Sequence, residues 1–278
     1  MTINCNGKLI DLSTPKVMGI LNLTPDSFYA RSRFQGDKEI LNQAEKMLTD
    51  GATFLDLGAY SSRPGADDIS EEEETSRLVP VVELLRKEFP DCLLSVDTFR
   101  APVAHQAVNA GVAMINDISA GGLDCSMMET VARLQVPYIM MHMRGTPQTM
   151  KTLTDYDDIT REILFYFSEK IADALALGIN DLIVDPGFGF AKNIEQNFEL
   201  LNKLELFQNL ERPVLVGLSR KSTIHKTLKT DPEHALNGST VMQTIALMKK
   251  ASILRVHDVK EAMEAIKLVT KTTEPSKK

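Results

Sequence analysis

The chain has 278 residues and 43% hydrophobic content, enough for one large α/β domain or two small ones. A formal charge of -7 and a pI near 5.4 argue against a nucleic-acid surface, which needs a basic stripe, and leave room for an anionic small substrate only where positive charge is gathered locally. Three scattered cysteines, Cys5, Cys92 and Cys125, form no CxxC pair and suit a reducing cytoplasm, and no apolar run approaches the roughly 18 residues of a membrane span.

In chain order, "NCNGKLI" reads as a hairpin within residues 2–12 that turns at Asn6 and Gly7. The N-terminus lacks the basic-then-apolar pattern of a secretory signal, so "NLT" at Asn22 and "NGS" at Asn237 are read as chance matches to a glycosylation acceptor. Eight short apolar runs follow: "KVMGILN", "TFLDLGAY", "LLSVDT", "AMINDIS", "YIMMHM", "LIVDPG", "VLVGLS" and "ILRVHD". Most are separated by segments of helical spacing, among them "EILNQAEKMLTDG", "EEEETSRLVPVVELLRKEF", "ITREILFYFSEKIADALALG" and "VMQTIALMKKA". Gly51, Gly111 and Gly178 stand where left-handed caps would end three helices. Eight strand–helix units predict an α/β fold, a (β/α)8 TIM barrel with a short N-terminal β-hairpin, as a single domain over 1–278 with a frayed tail at 271–278. A doubly wound sheet is the competing arrangement. The barrel is preferred because every run ends in candidate functional groups on its C-terminal side.

Those ends carry Asn22, then Ser61, Ser62 and Arg63, Asp97, Asn116, His142, Asp185, Ser219, Lys221, and finally Arg255 and His257. Singly, each has a bland reading, since a strand-end Asp or Asn most often caps a helix or a turn. Alternation puts Leu93, Ser95 and Asp97 on one face of their run, and in the last run turns Arg255 and His257 inward while Leu254 and Val256 meet the helices. An arginine inside a barrel needs an anion, supplied either by a protein carboxylate such as Asp97 or Asp185 or by a substrate. Lys221 after the seventh run and Arg63 in "SSRPGA" favour the substrate, because barrels commonly hold phosphate after strands 7 and 8 and such cations stabilise a departing phosphate group. Asp97, Asn116 and Asp185, with Lys221 beside them, suit the donor and acceptor edge of a polar heterocycle.

Other features point elsewhere. "EEEE" at Glu71–Glu74 opens a helix and reads as a solvated face; His142 in "MMHMRGTP" reads as packing rather than ligation. No HxH pair ends a strand, "GFGF" is not a dinucleotide fingerprint, and no GxxxxGK[ST] appears.

The motifs "MGILNLTPDSF", "SSRPGA", "SVDT", "INDIS", "DPGFGFAK", "GLSRKS" and "RVHDV", in this order over nearly the whole chain, resemble the dihydropteroate synthases of the pterin-binding barrel family. The resemblance implies condensation of 6-hydroxymethyl-7,8-dihydropterin diphosphate with 4-aminobenzoate to 7,8-dihydropteroate and pyrophosphate. It also implies residue roles. Asp97, Asn116, Asp185 and Lys221 would bind the pterin, with Met140 and Gly217 beside it. Arg255, Val256 and His257 would hold the diphosphate, with Ser62 and Arg63 over it. Asn22 would bind diphosphate and help position Mg²⁺ carried chiefly by its oxygens. Ser62, Pro64, Phe190, Lys221 and Ser222 would form the 4-aminobenzoate pocket, where sulfonamides would compete. Asp97, Lys221, Arg255, His257 and Arg63 would be catalytic, and a homodimer is implied. Two departures stand out: Ser62 replaces the usual threonine, and "YARSRF" puts Arg31 and Arg33 where an acidic residue is usual. A corrinoid methyltransferase of the same family would have no need of Lys221, Arg63, Arg255 and His257 together. A non-catalytic pterin-binding protein should likewise lack the diphosphate cations.

Overall fold

Every one of the eight apolar runs forms a strand. In the computed structural model the described residues are 1–23, 33–60 and 68–273, the side chains of 33–35 excepted. The hairpin strands are β1 (Thr2–Cys5) and β2 (Lys8–Asp11); the barrel strands are β3 (Lys16–Asn22), β4 (Phe54–Gly58), β5 (Leu93–Asp97), β6 (Met114–Asp117), β7 (Tyr138–Met141), β8 (Leu182–Asp185), β9 (Leu215–Val216) and β10 (Ile253–Val256). β3 to β10 are all parallel and neighbour one another in chain order. β10 returns to β3, and a single parallel bridge between Val184 and Val214 closes β8 on β9. Around the sheet run α1 (Arg33–Thr49), α2 (Glu71–Glu88), α3 (Ala101–Asn109), α4 (Met127–Leu134), α5 (Ile159–Ala176), α6 (Ile194–Asn202), α7 (Ser222–Thr227), α8 (Leu236–Met248) and α9 (Val259–Thr273).

Local chemistry explains the boundaries. Ser70 caps α2 by accepting from the Glu73 amide, and Asn193 with Gln196 forms a capping box at α6. Gly51, Gly111 and Gly178 follow helices with φ of +105°, +113° and +86°, the left-handed exit that glycine makes without a Cβ penalty. α8 starts five residues before its apolar stripe, and α9 runs through Thr273, three residues into the expected tail. The acidic run at the start of α2 is not a wholly solvated face: Glu74 is buried on the stripe that includes Leu78, Val81, Val82 and Leu85, and accepts from Arg100 Nη1 at 2.6 Å.

Alternation sorts the barrel into an inside and an outside. One apolar residue from each strand, Met18, Phe54, Leu93, Met114, Ile139, Ile183, Leu215 and Ile253, packs in a single buried cluster with Ile3, Cys5, Ile10 and Leu12 of the hairpin segment. The hairpin turns at Asn6 (φ +51°) and Gly7 (φ +80°) and plugs the N-terminal end of the barrel. Val17, Leu55, Leu94, Ile115, Met140, Val184, Val216 and Leu254 point the other way, into the larger core beneath the helices.

Candidate active site

Two residues further along, the inward positions of most strands change character, while Ile20 of β3 and Met141 of β7 stay apolar. Above the apolar floor come Asp56, Ser95, Asn116, Asp185 and Arg255, with Gly217 leaving open space in which an added Cβ would meet only the Lys221 ammonium, at 3.8 Å. Asn22, Asp97 and His257 follow as the next inward positions of β3, β5 and the segment after β10. The polar side chains therefore converge at the C-terminal mouth.

Arg255 is the hub. Its Nε donates to Asp56 Oδ2 at 2.6 Å and its Nη2 to Asp97 Oδ2 at 2.7 Å. The same Asp56 oxygen accepts from Asn116 Nδ2 at 3.0 Å. Asp56 is fully buried, and its other oxygen, Oδ1, has no hydrogen-bond partner among the described residues. Burial acts to lower the Arg255 pKa, but the charges of Asp56 and Asp97 outweigh it and raise it. Asp97 is pushed up to about 7 by burial; Arg255 opposes this, while Asp56, Glu74 and Asp117 add to it.

A second group lies across the β8–β9 seam. Asp185 is buried, its Oδ1 accepts from the Gly187 amide at 2.8 Å, and burial raises its pKa against the pull of Lys221. Lys221, next to Ser222 at the start of α7, donates Nζ to the Phe188 carbonyl and stands over the Phe190 ring, 4.9 Å from its centroid. Burial brings Lys221 down to about 8, with Asp185 opposing. Ser219 Oγ lies 3.1 Å from His257 Nδ1 and accepts from its backbone amide. Above its apolar floor the site thus offers donors and acceptors of both kinds, with Arg255 and Lys221 as cations.

A family model described as pterin binding enzyme matches residues 18–257. The chain is 43% identical to dihydropteroate synthase of Haemophilus influenzae over 96% of this chain and 98% of that protein, and 42% identical to that of Escherichia coli over 98% and 96%. The chain belongs to the dihydropteroate synthase family. Among solved structures it resembles Yersinia pestis dihydropteroate synthase in a sulfonamide drug complex (TM-score 0.92, 43% identity, 98% and 99% of the two chains). It also resembles Xanthomonas albilineans dihydropteroate synthase with 4-aminobenzoic acid (TM-score 0.90, 36% identity, 99% of each chain).

Against the family motifs, Asn22, Asp97, Asn116, Asp185, Gly217, Lys221, Arg255 and His257 gather at one mouth, with Phe190 and Ser222 beside Lys221. One expectation needs correction. The Met140 side chain is packed beneath the helices, because its register partner Val184 is an outward position; Met141, paired with Asp185, is the methionine of β7 that points inward. Val256 faces the helices as alternation predicts, so only its backbone is available to the mouth. Ser61, Ser62, Arg63, Pro64 and Arg31 lie outside the described residues, as does the Arg33 side chain.

Within the protein Arg255 is answered by two carboxylates, Asp97 and Asp56, the second in the place expected of Asp185. Asp56 is the charged residue of the mouth that the motifs do not single out. The signal was present: in "FLDLG" Phe54 belongs to the floor, so two residues later Asp56 must also point inward. His142 packs edge-on to Tyr166 with ring centroids 4.9 Å apart, and burial holds its pKa well below the usual histidine range.

Proposed function

We propose that this mouth condenses 6-hydroxymethyl-7,8-dihydropterin diphosphate with 4-aminobenzoate, the transferase step of folate biosynthesis that defines the family. The heterocycle edge fits Asn116 and Asp185, with Lys221 at its carbonyl and Gly217 and Met141 against the ring. The diphosphate fits Arg255 and His257, and the backbone at Val256, and the family motif would add Ser62 and Arg63. The C–O bond to the diphosphate breaks first, its electron pair leaving with pyrophosphate, while Asp97 stabilises the pterin-methyl cation left behind. The 4-aminobenzoate nitrogen then forms the new C–N bond and gives its proton to solvent, so no strong base is required. Phe190, Pro64, Ser62 and Ser222 would line the arylamine pocket, where sulfonamides compete.

The observation that carries this reading is the single Asp56 oxygen shared by Arg255 and Asn116, which fixes the leaving-group cation and the heterocycle-binding amide relative to each other. Asn22 sits at the end of β3 with one amide oxygen, and no group of three His, Cys, Asp or Glu side chains capable of holding a metal occurs among the described residues. That suits Mg²⁺ carried mainly by diphosphate oxygens, where the ion supplies charge neutralisation to the leaving group and Asn22 helps orient it. A homodimer is supported by Val241, Ile245 and Met248, an exposed apolar stripe on α8 beside exposed Leu268 of α9; a monomer mass by light scattering would overturn it. A cytoplasmic location is supported by three free cysteines, and no helix among the described residues is long and apolar enough to cross a membrane. The test of function is pyrophosphate release on mixing both substrates with Mg²⁺: release only when 4-aminobenzoate is present supports condensation, and no release with both substrates refutes it.

A further inference from the structure

The segment between β8 and α6 is held by side chains of its neighbours and by one of its own, Lys192. Gly187 N donates to Asp185 Oδ1 at 2.8 Å, and Gly189 N to Asn197 Oδ1 at 2.7 Å. The Ala191 carbonyl accepts from Tyr156 Oη at 3.0 Å, and the Phe188 carbonyl from Lys221. The carbonyls of Gly187 and Phe190 both accept from Lys192 Nζ, at 2.9 Å each. Lys192 is only 8% exposed, and its Nζ also lies 3.1 Å from His142 Nδ1 and 3.5 Å from the His142 carbonyl, across the gap to the loop after β7. These four acceptors outnumber the three donors of a lysine ammonium, so every N–H of Lys192 has a partner. The two loops touch where Lys192 joins them: a Cβ on Gly187, whose φ is +71°, would stand 2.1 Å from the His142 carbonyl oxygen. Burial presses the Lys192 pKa down, and Asp185 opposes it.

None of the chemistry proposed above uses Lys192. We infer that Lys192 is a positioning residue for the arylamine pocket: its buried amino group ties the β7 and β8 loops together and thereby fixes Phe190 against Lys221. The inference rests on the reading that Phe190 lines the 4-aminobenzoate pocket. The geometry gives the order of effects. Removing Nζ leaves the carbonyls of Gly187 and Phe190 without this donor, so the Phe190 ring loses its backbone anchor on one side, whereas Asp185 keeps the Gly187 amide and Asn116 keeps Asp56. Pterin binding should therefore change much less than 4-aminobenzoate binding.

The experiment compares Lys192→Met, Phe190→Leu and the double variant in steady-state pyrophosphate release, varying each substrate in turn, with thermal unfolding measured alongside. Lys192→Met should raise KM for 4-aminobenzoate about tenfold or more and change KM for pterin diphosphate by less than about threefold, and the double variant should be less than additive because both changes act on one ring. A purely structural lysine would lower the active fraction with both KM values unchanged, and that result overturns the inference. If Phe190→Leu leaves the 4-aminobenzoate KM unaltered, the pocket reading itself fails. If Phe190→Leu raises it and Lys192→Met does not, the positioning role alone fails. Should Lys192→Met not fold, His142→Leu removes one acceptor and spares the carbonyls; a rise of about threefold in the same KM supports the role, and no rise counts against it.

Discussion

At the N-terminal end of the barrel, Met18, Phe54, Leu93 and their neighbours pack on the hairpin in a cluster with no charged member; two residues further along the same strands, Asp56, Asn116, Asp185 and Arg255 crowd into the mouth. The floor is buried at no electrostatic cost. The mouth holds carboxylates whose protonation burial favours, a lysine brought down to about 8, and a carboxylate oxygen on Asp56 with no partner among the described residues. The difference teaches that the barrel is divided along its length: the first inward residue of each strand holds the fold together, and the polar residues that follow it on β4, β5, β6, β8 and β10 are strained by burial so that a ligand has something to relieve.

Substitutions at the two ends should therefore separate stability from activity. Phe54→Ala should cost about 3–5 kcal/mol of stability in a thermal melt while leaving the turnover of folded enzyme within about twofold; an equal loss of both would break the division. Asp56→Asn keeps shape and removes the shared charge, and should lower kcat/KM for pterin diphosphate by about 30-fold, roughly 2 kcal/mol, with a smaller change in melting temperature. Arg255→Ala should weaken diphosphate binding most, but pterin binding falls too, since Asp56 and Asp97 lose their cation together.

The pH profile sharpens the same contrast. The proposed reaction uses Asp97 ionised and Lys221 charged, so kcat/KM for pterin diphosphate should rise through about 7 and fall beyond about 8, and Lys221→Arg should remove the alkaline limb. Stability runs otherwise. The folded state holds the Asp97 proton more tightly than the unfolded chain, so this group favours folding at acid pH and the benefit is lost as pH rises from 3.8 to about 7. Lys221 is charged less readily when folded, so its penalty is full below about 8 and disappears as pH climbs toward 10.5. The smallest effect belongs to the boundary: Ser95 Oγ is buried without a partner among the described residues, and Ser95→Ala should raise stability by about 1 kcal/mol. A loss there would assign Ser95 to the working mouth.

Much of this was legible in the sequence because alternation is a rigid rule. It placed Asp97, Arg255 and His257 inside, and the eight runs predicted the barrel's strands. What escaped was pairing across strands. Nothing local in "FLDLG" says that Asp56 will meet Arg255, which lies 199 residues away, since that contact exists only once the barrel closes. Glu74 was similarly hidden, because its place on the buried stripe of α2 matters only with Arg100 there to receive it. Met140 went to the wrong face because a motif match carries position in the chain and not the direction of a side chain.

The barrel's closure has one thin place. β3 and β4 share five registered pairs, but β8 and β9 meet through the bridge of Val184 and Val214, with the Val184 amide donating to the Pro213 carbonyl at 3.0 Å. Asp185 lies one residue after this seam on one side, and Gly217 and Lys221 follow it on the other. Thermal breathing should open the sheet there first, and a heterocycle bridging Asp185 and Lys221 would staple the gap from above. Amide hydrogen exchange at Val184 would then slow on pterin binding more than at the well-paired Leu55, making the substrate part of the wall that encloses it.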